Sequence, residues 1–545
     1  MSGGGAPAAP PAGGLWPLGI AFWAGGGTMV VELSAVRLLA PWFGASQGVW
    51  TNVIGVVLLA LALGYALGAR LASRGRPERP LALALLSGAL CTAWLPVAAP
   101  AVAAWFLPEG VTLDRAAVLV HWGSLASSLL LFLPPAAVLG CVSPLVVEWI
   151  SERRGIHAGT AGGLVLCAGT LGSLLGTFGT THVLLPRLGL RATFLGVAVL
   201  LALLGLACLL LGRRGGGAGW GTPSLLLLAL AGAAAIAPRS VALGAGLRLL
   251  EEVQSPYQLV RVVETVGEGP RRRILQVNEG FDSFQSVWQA ELGLMGDGHY
   301  YDYFAPPAWW GGARETWSVL VLGLGAGSGW RVLDGCLPGG VRLETVGVEI
   351  DPQVIALGRR HMELAEDGPS RRILAGWDAR CALRALAPVT FDQVVLDTYT
   401  NQTEFPPHLC TVEFFREVHG RLNEGGWVSV NVGGFGLDDP VVRALGASLA
   451  QGFGSEVLSV RVPFSRNLML YARRGAVLPR PDGNEWAAVA HPELRVALAR
   501  LRLSGAWEIL GPRDGPLLFD DGSCIESLQR ASLRRAAALG GEGTE

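Results

Sequence analysis

The residues of this chain that could do chemistry are a glycine turn and three acids. Gly323, Gly325 and Gly327 fall in the stretch Trp317 to Asp351, and Glu349, Asp378 and Asp397 each fall at or near the end of a β-like segment. Glycines let a backbone turn sharply and approach a ligand closely, and an acid closing the next strand about 20 residues on can accept both hydroxyls of a ribose. A glycine triplet alone is a weak signal in a chain with 76 glycines. Here the apolar run Val319 to Leu322 precedes the turn, and a second run ends at Glu349 and Asp351, which is the context the motif requires. The chemistry implied is nucleoside binding.

Those side chains need a parallel sheet to converge. The order buried strand, glycine turn, helix, strand predicts an α/β domain in which the carboxyl ends of the strands line the ligand crevice, with Glu349, Asp378 and Asp397 around the turn. For each acid taken singly the alternative is a solvated cap or turn. Upstream, Ser255 to Trp288 holds two short β-rich runs, 259–264 and 273–277, split by a turn at Gly267 to Pro270, which predicts a small sheet before the nucleoside domain. Downstream, a helical run from Glu493 to Leu503 and a charged tail from Arg530 to Glu545 carry no chemistry of their own.

Composition divides the chain. Only 16% of its 545 residues are charged, and the mean hydropathy is +0.43. The apolar segments crowd into the first 240 residues, so a membrane module precedes a more polar one. With a net charge of -1, no lysine, and no basic face interleaved with aromatics, nucleic-acid binding is not expected. Eight scattered cysteines without a C-x-x-C pair argue for buried thiols in a reducing compartment rather than a zinc site or disulfide framework, and no metal is expected.

Residues 1–14 read as a disordered Gly/Pro/Ala tail without a signal peptide's basic start. Spans are expected near 15–40, 49–72, 81–106, 116–141, 160–185, 191–212 and 223–238. Arginines gather at Arg70, Arg74, Arg76 and Arg79, at Arg153 and Arg154, and at Arg213 and Arg214, which places those loops and the N-terminus in the cytoplasm. An odd seventh span would carry the C-terminal half outside, away from a cytoplasmic nucleoside. That segment offers roughly 24 Å of helix against a core of about 30 Å, so it is the span to doubt. Pro96 and Pro100 are expected to kink the third span. Glu32 inside the first span is a candidate substrate contact; the alternative is a pairing with Arg37, or with His121 or His182. Gly64-x-x-x-Gly68 and Gly172-x-x-x-Gly176 read as close helix-packing faces.

The chain resembles the spermidine synthase family of aminopropyltransferases, in particular its membrane-fused bacterial members. The resemblance rests on Ser255-Pro256-Tyr257-Gln258, the glycine turn, Val348-Glu349-Ile350-Asp351, Gly376 to Arg380, and Asp397 followed by Pro407-His408-Leu409-x-Thr411-x-Glu413-Phe414-Phe415. Leu422 to Gly426, Phe519-Asp520-Asp521 and Glu526 continue the family's order, as do Glu32, Arg37 and Pro134-Pro135-x-x-x-Leu139-Gly140 in the membrane half. It implies an α-helical membrane domain followed by a Rossmann-like methyltransferase fold with a small N-terminal β-sheet. In residues, it implies a 15–238 multi-pass transmembrane domain, a 251–312 β-rich subdomain, a 313–475 catalytic domain and a 476–545 extension.

It also implies decarboxylated S-adenosylmethionine as co-substrate, with Glu349 on the ribose, Asp378 near the adenine amino group, Gln258 near the nucleoside, and Asp397 beside the attacking amine of a polyamine. Tyr301 and Tyr399 are further candidates for positioning that amine, the alternative being packed aromatics. The implied setting is the inner membrane, with the lipid bilayer as partner and the catalytic half cytoplasmic; a homo-oligomer is left open. The chain departs from the family at Ala326 and Thr400, where the family carries acids. A lost charge-assisted hydrogen bond is worth roughly 1.5 to 3 kcal/mol, which puts a diamine acceptor in doubt. Ala326 would leave space for the carboxylate of intact S-adenosylmethionine, so a methyltransferase is the rival reading. A polyamine transporter or sensor with a non-catalytic binding domain is a third.

Overall fold

The computed structural model describes residues 15–43, 47–106, 113–211, 232, 243, 246–267, 270–277, 285–290, 294–296, 299–312, 314–399, 405–481, 483, 486, 489–504 and 506–541. They divide into two compact units that part near residue 242.

The first unit is helical: α1 (Leu15–Phe43), α2 (Gln47–Ala72), α3 (Glu78–Phe106), α4 (Leu113–Gly140), α5 (Val142–Arg154), α6 (Ala158–Gly179) and α7 (Leu185–Leu211). Among the described residues five helical stretches are long and apolar enough to cross a membrane: Trp16–Phe43, Gly48–Ala72, Glu78–Phe106, Trp122–Arg154 and Ala158–Leu210. The last has 53 residues, roughly 80 Å at about 1.5 Å per residue and far longer than a core of about 30 Å. Gly189, at φ 75° and ψ 173°, breaks it, so the segments expected at 160–185 and 191–212 lie on either side of one non-helical residue. The segment expected at 223–238 lies outside the described residues. Helix α3 runs unbroken through Pro96 and Pro100. Arg153 of α5 pairs with Glu78 of α3 at 3.6 Å, which brings the loop after α2 and the loop after α5 to the same end of the unit.

Glycines set how closely these helices pack. A Cβ on Gly172 would lie 1.8 Å from the Phe22 carbonyl oxygen, and one on Gly176 would lie 2.4 Å from that of Gly26. On α2, Gly64 and Gly68 approach the backbone at Ala137 and Cys141 in the same way. Both small-residue pairs are backbone-to-backbone seams, the packing that apolar helices use in lipid.

The second unit begins with a four-stranded antiparallel sheet, β1 (Leu247–Gln254), β2 (Leu259–Thr265), β3 (Arg272–Val277) and β4 (Ser286–Gln289), in sequential order. An eight-stranded sheet follows: β5 (Thr316–Leu322), β6 (Arg342–Glu349), β7 (Arg371–Ala375), β8 (Phe391–Leu396), β9 (Leu422–Gly433), β10 (Val457–Arg461), β11 (Asn467–Arg473) and β12 (Trp507–Leu510). Its order is β12-β10-β11-β9-β8-β5-β6-β7. The strands from β5 to β9 pair in parallel, and β11 is antiparallel to both its neighbours. This is a Rossmann-like arrangement whose strand order reverses between β5 and β8, the place where such sheets bind ligands.

Central strands covered on both faces need continuous apolar runs, and Val319 to Leu322 and all of β8 are buried accordingly. The one amide in β8 is satisfied: Gln393 accepts from the Trp317 indole at 2.9 Å and donates to the Phe304 carbonyl and the Ser429 hydroxyl. The two sheets are joined by a core of Val260, Val262, Leu275 and Trp288 against Val354, Leu357 and Ala326. Beyond residue 475, β12 joins the main sheet beside β10, and Leu518 and Ile525 are fully buried. The charged tail expected at Arg530 to Glu545 is helical as far as Gly541, because Ser532 bonds Asp439 at 2.5 Å and Arg535 pairs with Asp438.

Candidate functional site

The glycine turn caps the crevice at the reversal. Gly323 has φ 88°, and a Cβ there would meet the Asp397 carbonyl oxygen at 2.1 Å, so only glycine lets the ends of β5 and β8 lie together. The Asp397 amide donates to the Leu322 carbonyl at 2.9 Å, which fixes that contact. Gly325 donates its amide to Glu349 Oε2 at 2.9 Å, and the Asp351 amide holds Oε1 at 3.0 Å. Gly327 precedes the helix Ser328–Cys336 as its N-cap. Glu349 is buried, and burial pushes its carboxyl up to about 7.

Asp397 directly follows β8. Asn431 donates to its Oδ1 at 2.8 Å and the Tyr300 hydroxyl to its Oδ2 at 3.1 Å. Burial drives its carboxyl up to about 6 against these two hydrogen bonds. Neither Glu349 nor Asp397 takes an ion pair among the described residues; both accept only from neutral donors. The crevice therefore holds two desolvated carboxylates, and neither is matched by a cation among the described residues.

The other residues named from sequence fall around this pair. Tyr301 donates to the Gln285 carbonyl at 2.8 Å, so its hydroxyl ties β4 to the site while the neighbouring Tyr300 reaches Asp397. Tyr399 donates to the Asn431 carbonyl at 3.0 Å and accepts from the Gly433 amide at 2.6 Å, which anchors the loop after Asp397 to the end of β9. Gln258 donates to Asp351 Oδ2 at 3.3 Å, beside Ser255 Oγ at 2.6 Å on the same oxygen. Asp351 also caps the helix Pro352–His361 through Oδ1, so one buried acid joins the Ser255 loop to the eight-stranded sheet.

Asp378 caps the helix Ala379–Ala385 through the Arg380 and Cys381 amides and meets His408 Nε2 at 2.9 Å. Burial opposes its ionisation, but those amides and His408 hold it below the usual carboxylate range. Arg380 forks onto Asp520 at 2.7 and 2.8 Å and also binds Glu417, so the Phe519-Asp520 segment braces the loop that carries Asp378.

Ala326 differs from expectation. It is buried, its amide donates to Ser286 Oγ at 2.8 Å, and its side chain faces Gly358 of the helix Pro352–His361. The position looks into the core, so alanine there opens no space for a donor carboxylate. Thr400 lies outside the described residues. Sequence reading passed over Tyr300 and Asn431, and named Asp351 only as an acid at the end of the strand. The only signals for the first two were a tyrosine beside Tyr301 and a polar residue inside the apolar strand β9.

In the helical unit, Glu32 is half-buried and has no hydrogen-bond or ion-pair partner among the described residues. His182 stacks on Phe178. Among the described residues no group of three or more His, Cys, Asp or Glu side chains is arranged to hold a metal ion, and all eight cysteines are free thiols.

No family model matches the chain, and no curated protein matches it. Similar solved structures include a probable spermidine synthase from Corynebacterium glutamicum, at 17% identity over 52% of this chain and 99% of that one with a TM-score of 0.41. Another is the spermidine synthase of Thermotoga maritima, at 16% identity over 54% of this chain and 88% of that one with a TM-score of 0.34. A third is a 16S rRNA methyltransferase from T. thermophilus in complex with AdoMet and guanosine, at 18% identity over 44% and 52% with a TM-score of 0.24.

Proposed function

We propose that the second unit is a transferase that moves a carbon group from a sulfonium nucleoside to an amine, and that the helical unit anchors it in a membrane. The observation that carries this reading is the pair of desolvated carboxylates, Glu349 and Asp397, at the strand ends beside the reversal, neither of which takes an ion pair among the described residues. A sulfonium would supply the missing charge and favour the ionised form of both acids. Decarboxylated S-adenosylmethionine is the donor favoured by the motif order, which gives aminopropyl transfer to an amine of the polyamine class.

The donor supplies a carbon activated by its bond to sulfur. Glu349 grips the ribose through whatever acceptor capacity the Gly325 and Asp351 amides leave. Asp397, oriented by Tyr300 and Asn431, accepts the proton that the acceptor nitrogen sheds as it bonds to carbon. The carbon–sulfur bond breaks, and the electron pair stays on sulfur as a neutral thioether. Asp378, which follows β7 and caps the next helix, would meet the adenine edge.

A second reading on the same scaffold is methyl transfer from S-adenosylmethionine, since the ribose and sulfonium contacts proposed for Glu349 and Asp397 would serve either donor. Purified full-length protein given an amine and each donor in turn separates the two, with transferred aminopropyl, transferred methyl and released thioether nucleoside read by mass spectrometry. Asp397→Asn should abolish transfer while nucleoside binding persists. Full turnover in that variant would remove Asp397 from the mechanism, and the absence of any thioether release from wild-type protein would refute the transferase reading.

A further inference from the structure

Two cysteines flank the hydrogen bonds that hold Asp378. Cys410 is fully buried in the core of the eight-stranded sheet together with Ile525, and Cys524, the residue ahead of Ile525, is exposed. The Cys410 thiol donates to the Pro407 carbonyl at 3.0 Å and lies 3.9 Å from the hydroxyl of Ser523, the neighbour of Cys524. Burial pushes the Cys410 thiol up to about 12, and Cys524 is near enough to add to the rise. Both are free thiols. Asp521 to Ser523 form neither helix nor strand, and Asp521 and Gly522 are exposed, so the approach to Cys524 can turn without breaking an element.

The segment that carries Cys410 is the one that sets Asp378. His408, two residues earlier, meets Asp378 at 2.9 Å, and its carbonyl accepts from Arg380 at 3.1 Å. Thr411, the next residue, donates its hydroxyl to Asp520 at 2.7 Å, and Asp520 takes the fork of Arg380. Asp378 in turn holds the Arg380 and Cys381 amides, each at 3.0 Å. A bond between Cys410 and Cys524 breaks the contact to Pro407 and pulls on both ends of this arrangement, His408 at one and Asp520 at the other.

We infer that Cys524 is an oxidation site with Cys410 as its resolving thiol, and that the disulfide they form loosens Asp378 and weakens donor binding. A peroxide oxidises the Cys524 thiol to a sulfenic acid and is itself reduced to water. The Cys410 sulfur then bonds to the Cys524 sulfur, the sulfur–oxygen bond breaks, and the oxygen leaves as a second water with the Cys410 proton. Disulfides that form in reducing compartments are mostly transient and redox-sensing, which suits a pair kept as thiols. The inference rests on the transferase reading only for what Asp378 binds.

Full-length protein in detergent is treated with hydrogen peroxide, alkylated, and mapped by mass spectrometry without reduction. A Cys410–Cys524 linkage should appear, form faster as pH rises because Cys410 must shed its proton, and vanish with dithiothreitol. In the linked protein the Arg380 and Cys381 amides should exchange deuterium several-fold faster. Donor affinity by calorimetry should fall on the order of tenfold, the scale of one charge-assisted hydrogen bond. Cys524→Ser, an exposed and nearly isosteric change, should bind donor as reduced wild type does and should ignore peroxide in both readouts.

A linkage between other cysteines, or Cys524 driven to sulfinic acid with Cys410 still alkylated only after unfolding, overturns the inference. So does a Cys410–Cys524 linkage that leaves the Arg380 and Cys381 exchange unchanged, or that leaves the affinity unchanged in protein that binds a donor. A peroxide response that survives in Cys524→Ser overturns it as well. Linkage with faster exchange, in protein that binds neither donor when reduced, sustains the switch and counts against the transferase reading.

Discussion

Tyr300 donates a 3.1 Å hydrogen bond to Asp397 from 97 residues earlier in the chain, and so links the short helical turn ahead of β5 to the end of β8. Burial pushes the Asp397 carboxyl up and the bonds from Asn431 and Tyr300 act against it, leaving it at about 6, a value at which a carboxylate can still take a proton and is ionised at neutral pH.

The first prediction is a pH profile. Because Asp397 works as the base form, kcat/KM should rise with pH to about 6 and then level off. Tyr300→Phe removes a bond to the charged form, so it should move that limb to higher pH and lower the plateau by about tenfold. In the ternary complex the sulfonium favours the carboxylate, so the limb in kcat should lie below the limb in kcat/KM. A profile that Tyr300→Phe leaves in place would mean that Asp397 is not the titrating group.

Stability should move in the opposite sense to activity. The folded protein holds the Asp397 proton more tightly than the unfolded chain does, with a pKa of about 6 against 3.8. Stability therefore falls as pH rises from the unfolded value to the folded one, and the full cost is carried above about 6. Asp397→Asn, inactive in transfer, should be more stable than wild type by on the order of 2 kcal/mol at neutral pH, with the difference shrinking towards pH 4. Denaturant melts at the two pH values test this, and a constant difference would refute it.

Glu349 carries a related prediction for the donor. Burial pushes its carboxyl up to about 7, and both ribose hydroxyls and a sulfonium would favour the ionised form. Donor affinity should strengthen as pH rises through that value. Glu349→Gln should flatten the dependence and weaken binding by roughly ten- to a hundredfold. Calorimetry with either donor at pH values on both sides of 7 would show it, and a pH dependence that survives in the variant would place the titrating group elsewhere.

Sequence reached the local parts of this architecture and stopped at the long-range ones. The strand, turn and acid around Gly323 and Glu349 are legible because burial on both faces demands an unbroken apolar run, and because the close approach of Asp397 to Gly323 excludes every side chain. Tyr300 and Tyr301 could not be told apart, since adjacent residues on a short helical turn point to different neighbours and only the packed fold assigns Asp397 to one and Gln285 to the other. Ala326 looked like a vacancy because a missing side chain reads as space, whereas Gly358 and the helix that carries it fill the position.

The glycine seam between α1 and α6 yields a prediction for the helical unit that needs no substrate. Gly172→Ala places a methyl 1.8 Å from the Phe22 carbonyl oxygen, which is rigid backbone, so the helices must separate. In lipid or detergent this association depends on close packing and weak contacts between backbones, both of which fall off steeply with distance. Gly163→Ala, nine residues earlier on the same helix, meets no atom within 4 Å and should stabilise the helix by about 1 kcal/mol through propensity alone. The thermal midpoint in detergent should therefore fall for Gly172→Ala and hold or rise for Gly163→Ala. Equal midpoints for the two variants would mean that α1 and α6 are not held at this distance in the folded protein.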